Sequence, residues 1–322
     1  MIIEARGERW PLAKPFTIAR GSKTEARVVV VTVRDGAHVG RGEAVPYARY
    51  GESVEDAIAA ISALDGDAID RRTLLSRMKA GAARNAVDCA LWDLEAKASG
   101  VPAFAVAGLS APAPLLTAYT ISLAGADDMA TAANAVRHLP LLKLKLGAAG
   151  DAERLRAVRA ARPDARLIAD TNEAWTAGML NDLMAVAAEV GVETIEQPLP
   201  EHSDEALRSV SRAVPICADE SLRTAEDLPR LEGLYDAINI KLDKAGGLTA
   251  AFDLKRAAKA RTFKIMIGSM VATSLAVAPA MLLAADAEWI DLDGPLLLAK
   301  DRDFGVEVRN GVMSGADRRL WG

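Results

Sequence analysis

Five charged residues recur at almost even intervals through the middle of this 322-residue chain, each at the end of a short apolar run. Lys145 closes LLKLK, Asp170 closes RLIAD, Glu196 closes ETIE, Asp219 follows PICA and Lys241 follows AINI. The steps between them are 25, 26, 23 and 22 residues, about one strand plus one helix each. Such a period predicts parallel strands joined by helical crossovers. Eight runs fit: LLTAYTIS, LLKLKL, RLIAD, ETIEQP, PICAD, AINIKL, KIMIGS and EWIDLD, with alanine-rich helical patterns such as DAERLRAVRAAR between them. The expected fold is α/β, a (β/α)8-type TIM barrel over residues 115–300. An open doubly wound sheet is the alternative, but no Gly-rich dinucleotide fingerprint follows any run.

The first 114 residues read differently. ARVVVVTVRDGAHVGRGEAVP is a β-branched run, a turn at Asp35-Gly36 and a second strand, a hairpin signal. Helical patterns follow in SVEDAIAAISAL and ARNAVDCALWDLEAKASG, where Val87, Leu91 and Leu94 form an apolar stripe and Gly100 caps the end. Residues 1–114 are therefore expected to form an α+β capping domain. The tail 301–322, with strand-like FGVEVRNGVMSG, is expected to return to the N-terminal sheet and pack back on the capping domain.

Composition narrows the partners. Net charge is -5 with signs interspersed, which disfavours nucleic acid. Cys89 and Cys217 are the only cysteines, too few for a disulfide framework or a Cys-based zinc site. The N-terminus has no apolar signal core, so a cytoplasmic location is expected. Ile265 to Ala285 is uncharged, but it carries Gly268, Ser269, Thr273, Ser274 and Pro279, and a buried strand, turn and helix explain it better than a membrane span.

Singly, each acid could be a helix N-cap, the commoner job of a carboxylate after a strand. Together Asp170, Glu196 and Asp219 would converge at the strand-end face of a barrel. An all-oxygen set without His or Cys favours Mg²⁺ over zinc, one per subunit. Asn172 and Glu220 are placed to orient these ligands. Lys143 and Lys145 would be a solvated face on an open sheet; on a buried barrel strand both point inward, and burying two ammonium groups needs anions nearby. Counting strands puts Lys145 on strand two and Lys241 on strand six, diametrically opposed. Lys244, three residues on, is either a neighbour of Lys241 or a solvated loop charge. Asp291 and Asp293 could equally be turn-forming acids before Gly294-Pro295. Arg20, in FTIARGS, is a candidate cap over the site, while Thr120 and Ser269 are expected to make minor substrate contacts.

In order, KLKLG, ADTNEAW, IEQPLP, ADES and NIKLDKAGGLT resemble the enolase superfamily, and more narrowly its muconate lactonizing enzyme subgroup, nearly end to end. DLDGPLLL looks like the Asp-x-Asp signature of the dipeptide epimerases, those of murein peptide recycling above all. One departure is that Gly268-Ser269-Met270 is followed by Val271, where many relatives place a glutamate. The resemblance implies an enolase-like modified barrel and a metal-dependent isomerase that inverts the C-terminal residue of an L-Ala-L-Glu-type dipeptide. Lys145 and Lys241 would be the two acid/base groups, Lys143 would stabilise the developing enolate, Asp291 and Asp293 would receive the substrate ammonium, and Arg20 the glutamate side chain. An N-acylamino acid racemase, o-succinylbenzoate synthase or cycloisomerase would keep the lysines and metal ligands. A catalytically silent binding barrel and a His-ligated hydrolase are the remaining alternatives. A homo-oligomer is left open.

Overall fold

The computed structural model describes residues 1–64, 69–147 and 149–322. Its centre is an eight-stranded parallel sheet in sequential order, built from Tyr119–Ile121, Leu141–Lys145, Arg166–Asp170, Val192–Glu196, Ile216–Ala218, Ala237–Ile240, Lys264–Gly268 and Trp289–Asp291. One backbone hydrogen bond, Ala118 N to Ile290 O at 2.8 Å, joins the last strand to the first and rolls the sheet into a barrel. The eight expected runs are the eight strands. Helices Ala126–Ala135, Asp151–Ala161, Leu180–Glu189, Leu248–Ala260 and Ser274–Met281 cover the outside. The two shorter steps of the sequence repeat are shorter for a reason: in place of full helices, strand four is followed by the 3₁₀ turn Glu205–Ser209, and strand five by the 3₁₀ turn Ala225–Asp227 and the single turn Leu228–Leu231.

Alternation along each strand divides the barrel interior into storeys. The floor is apolar, with Leu141, Ile168, Cys217, Ala237, Met266 and Trp289 in one buried cluster. Two residues further along the same strands stand Lys143, Asp170, Asp219, Asn239 and Asp291, all buried. Period two therefore turns a hydrophobic floor into a charged ceiling within a single turn of register.

Ahead of the barrel, Ile2–Ile18, Gly21–Asp35 and His38–Ala44 make an antiparallel sheet, with Asp35 paired to His38 across the expected turn. Helix Ala82–Ser99 lies on this sheet, and the contact is nearly backbone to backbone. A Cβ at Gly40 or Gly42 would stand 2.1 Å from the carbonyl of Ala90 or Ala86, so only glycine fits. Both flanks of that helix are buried, including Asp88 and Asp93, which the apolar stripe alone did not foretell. Asp93 takes Gly322 N at 2.6 Å and Arg41 N at 2.8 Å, and Trp321 Nε1 donates to Cys89 O at 3.0 Å.

Two expectations need correcting. Val308–Arg309 and Val312–Met313 do not join the N-terminal sheet; Val312–Met313 pairs antiparallel with Leu115–Leu116, just ahead of strand one, in a separate three-stranded sheet. The last barrel strand ends at Asp291, and Asp293 instead opens the one-turn helix Gly294–Leu297. Among the described residues no helix is long and apolar enough to cross a membrane.

Candidate active site

Asp170, Glu196 and Asp219 end or follow strands three, four and five, and one oxygen from each lies within 4.8 Å of the others. All three are buried. Lys145 Nζ is 2.5 Å from Asp170 Oδ2, and Lys241 Nζ is 2.6 Å from Asp219 Oδ2. Since their strands are four apart in an eight-strand barrel, the two amines approach the acids from opposite walls. Lys143 lies deeper, between Glu196 (2.6 Å), Asp291 (2.6 Å) and Asp170 (3.2 Å). Lys244 is fully committed, donating to Asp219 Oδ1 and to the carbonyls of Asp219 and Asn239.

So dense a cluster perturbs its own protonation. Burial alone would raise Asp170, but Lys145 and Lys143 outweigh it and hold it below the ordinary carboxylate range. Asp219 is likewise drawn well down, against burial, by Lys241 and Lys244. Glu196 goes the other way: burial and the charge of Asp170 push it up to about 7 despite Lys143. Burial disfavours charge on Lys241, yet Asp219 and Glu196 reverse this and hold its proton firmly. The competition between cations and carboxylates, open from sequence, goes to the carboxylates at Lys241.

The donor set fits a hard cation. It is three carboxylates with no sulfur or imidazole. Beside it Asn172 Oδ1, Glu220 Oε2, Asn239 Oδ1 and Asp291 Oδ1 are buried without a hydrogen-bond partner among the described residues. Orphaned buried acceptors are rare and mark groups that an ion or its water shell would satisfy.

A cavity opens above the triad, lined by Phe16, Arg20, Lys23, Tyr47, Tyr50, Lys145, Asn172, Asp219, Glu220, Lys241 and Ser269. Its roof is the hairpin tip between the first two strands and the loop around Tyr47–Tyr50. Backbone bonds hold the roof down: Leu123 N donates to Thr17 O at 3.0 Å, and Ala299 N to Pro11 O at 2.9 Å. Arg20 donates to Glu220 (2.7 Å), Glu173 (3.2 Å), Asn172 O (2.8 Å) and Tyr47 Oη (3.1 Å). The guanidinium expected to meet a substrate carboxylate is thus already shared among four protein acceptors.

Other expected contacts fall as follows. Asn172 N donates to Asp170 Oδ1 at 2.9 Å. Glu220, raised by burial and then by Asp219 and Asp170, sits beneath Arg20. Thr120 is buried and its backbone N–H donates to Asp293 Oδ2 at 2.6 Å. Asp293 is pushed up to about 7 by burial and by Asp291. Asp291 Oδ2 already accepts from Lys143.

Sequence reasoning passed over Gln197. It holds a positive φ of 39° directly after Glu196. Its amide donates to Leu199 O, Ser221 Oγ and Tyr235 Oη, and its carbonyl accepts from Asp219 N and Ser221 N. Such strain at a strand end persists only when neighbours over-determine it, and here it fixes the backbone that presents Asp219. A buried glutamine next to a candidate ligand was the available signal.

Residues 127–318 match the family described as enolase C-terminal domain-like, and residues 2–108 match the mandelate racemase/muconate lactonizing enzyme N-terminal domain. The chain belongs to the mandelate racemase/muconate lactonizing enzyme family. It is 43% identical over 311 residues to the L-Ala-D/L-Glu epimerase of Escherichia coli K12, covering 95% of this chain and 97% of that one. It is 41% identical to the N-acetyl-D-glutamate racemase of a Pseudoalteromonas species, over 92% and 95% of the two chains. A crystal structure of an enolase family member from Agrobacterium tumefaciens with homology to dipeptide epimerases, bound to sodium and L-Ala-L-Glu, superposes with a TM-score of 0.97. The identity there is 51%, over 99% of both chains. Relatives at 43% and 41% identity are an epimerase and a racemase, and the chain is an isomerase of that kind.

Proposed function

We propose that this isomerase is a metal-dependent dipeptide epimerase, inverting the α-carbon of the C-terminal residue in an L-Ala-L-Glu-type dipeptide. The observation that carries this reading is the placement of Lys145 and Lys241 on opposite walls, each on a different member of one carboxylate triad. A substrate carboxylate gathered at the triad presents one face of its α-carbon to each amine. One lysine removes the proton from its face and the other returns a proton to the opposite face, which inverts the centre. Asp170, Glu196 and Asp219 would hold a divalent cation, with Mg²⁺ the ion the donors favour. When bound, that ion supplies Lewis acidity beside the substrate carboxylate. Lys143, at the back of the triad, adds a fixed positive charge where negative charge develops.

Residues 1–114 are assigned as the capping domain that closes the cavity, 115–300 as the catalytic barrel, and 301–322 as a tail that braces the cap. Murein peptide recycling in the cytoplasm is the setting such a substrate implies.

One observation favours a second reading, N-acylamino acid racemisation. Lys143 already neutralises Asp291, and Asp293 titrates near 7, so the pair offers a substrate ammonium less negative charge than two free carboxylates would. Incubation in deuterated water with Mg²⁺ separates the two. L-Ala-L-Glu should take up α-deuterium and accumulate L-Ala-D-Glu, both stopped by a chelator. Exchange into N-acetyl-L-glutamate with none into the dipeptide would overturn the epimerase assignment.

A further inference from the structure

One neutral side chain stands inside the charged ring of the barrel. Asn239, on strand six, is buried and sits on the same storey as Lys143, Asp170, Asp219 and Asp291. Its Nδ2 donates to Glu196 Oε1 at 2.7 Å, the one uncharged donor that carboxylate meets among the described residues. The acceptor fixes the amide's orientation, since turned about it would set oxygen against oxygen. The backbone carbonyl of Asn239 accepts from Lys244 Nζ at 3.0 Å, and Lys244 also holds Asp219. Asn239 therefore links two acids of the triad.

Gly268, next to it on strand seven, admits the amide. A Cβ there would lie 2.6 Å from Asn239 Oδ1 and 2.8 Å from its Nδ2. The backbone of Gly268 is not left-handed, so conformation alone does not call for glycine. A glycine within a strand marks such a close approach. The oxygen that Asn239 fills also has a second suitor. Lys241 Nζ stands 3.9 Å from Glu196 Oε1 while it pairs with Asp219 at 2.6 Å.

We propose that Asn239 is a positioning residue: it steadies Glu196 for the cation and, by filling Oε1 with a neutral donor, leaves Lys241 to Asp219 and the reacting carbon. The second half of this rests on the epimerase reading. Without the amide, Oε1 becomes a buried acceptor lacking its donor, which is costly. The ammonium of Lys241 is close enough to replace it, and doing so draws that amine off its wall. Lys145 meets Asp170 and no oxygen of Glu196 among the described residues, so the damage falls on one side.

Two readouts test this: calorimetric titration with Mg²⁺ alone, and α-deuterium uptake by L-Ala-L-Glu and L-Ala-D-Glu taken separately. Asn239→Leu, similar in volume but without a donor, should weaken Mg²⁺ binding about 10- to 100-fold. At saturating Mg²⁺, uptake should fall about tenfold further for the stereoisomer on which Lys241 acts, the one that Lys241→Ala no longer exchanges. Gly268→Ala, which pushes the amide away, should reproduce both changes, and the double variant should cost no more than either single one. The ratio of the two uptake rates comes from one sample and does not depend on how much of it is folded. Asn239→Ser, too short to reach Glu196, carries the same expectations should the leucine variant not fold. Unchanged Mg²⁺ affinity would overturn the hold on Glu196, and equal losses on both stereoisomers would overturn the sorting of Lys241. Additive losses in the double variant would overturn the role given to Gly268. A wild-type enzyme that exchanges neither dipeptide removes the epimerase reading, and the Mg²⁺ titration then still decides the hold on Glu196.

Discussion

In the proposed reaction the two halves of the site, one around Lys145 and the other around Lys241, perform mirror-image tasks with unlike supports. Lys241 faces Asp219 at 2.6 Å and Glu196 at 3.9 Å, and Lys244 shares Asp219 with it. That half is tied to the cap by buried polar bonds, with Asp243 Oδ1 accepting from Val45 N and from Asn85 Nδ2, both at 2.9 Å. Lys145 pairs with Asp170 and otherwise faces the aromatic ring of Phe16. Its half meets the cap through Thr17 and Leu123 backbone and through that ring. A substrate entering under the hairpin therefore meets an adaptable wall on one side and a fixed one on the other. Equivalent chemistry does not require equivalent surroundings.

The largest effects should come from removing either amine. Lys145→Ala and Lys241→Ala should each cut epimerisation by about 10²–10⁴-fold, the range for a positioned acid or base. The contrast between the halves predicts more than a loss: each variant should keep α-deuterium exchange with one stereoisomer only, and opposite ones. Mass spectrometry of separated L,L and L,D dipeptides checks this, and full activity in both variants would end the two-wall scheme.

Next in size is Lys244→Met, which acts on the Lys241 half alone. With Asp219 less firmly oriented, activity or Mg²⁺ affinity should fall roughly 10- to 100-fold, as for groups that orient metal ligands. Metal titration by calorimetry alongside kinetics distinguishes the two. Phe16→Ala probes the other half. A cation–π contact of about 0.5–1 kcal/mol corresponds to only a few-fold change, concentrated in the direction where Lys145 acts on the substrate.

The smallest effect is on stability and concerns the polar tie beneath Lys241. Burial, with little relief from the donors of Val45 and Asn85, pushes Asp243 up to about 7 in the fold. Its folded value lies above its unfolded value near 3.8, so the native state is favoured by the proton. That contribution is complete below about 4 and is lost as pH rises towards 7. Asp243→Asn keeps an acceptor for both donors and removes the titration. Its melting temperature relative to the wild type should therefore improve from pH 5 to pH 8, measured by differential scanning fluorimetry. A difference independent of pH would refute the assignment.

Much of this was legible beforehand, and the reason is periodicity. Strand alternation and the repeat of strand plus helix are local rules, so the eight strands, the convergence of Asp170, Glu196 and Asp219, and the inward turn of Lys143 and Lys145 could all be read from spacing. What escaped depends on long-range register. Arg20 and Glu220 are 200 residues apart, and nothing near either one announces the other. The partner of the 308–313 hairpin is Leu115–Leu116, a pair read from sequence as part of strand one. Gln197 was passed over because its importance lies in the backbone it fixes, and its own side chain bears no charge.

The glycines at 40 and 42 bear on how such a molecule can be altered. Because Ala86 and Ala90 press directly on that strand, the helix and the sheet under it tolerate no change in spacing. The hairpin tip at the far end of the same sheet is not crowded in this way: an added methyl at Gly21 meets no atom within 4 Å, and what keeps glycine there is its φ of 138°. Retailoring for a new ligand can thus be confined to a handful of tip positions mounted on an immovable chassis, and exchanging that tip between relatives is the economical route to altered selectivity.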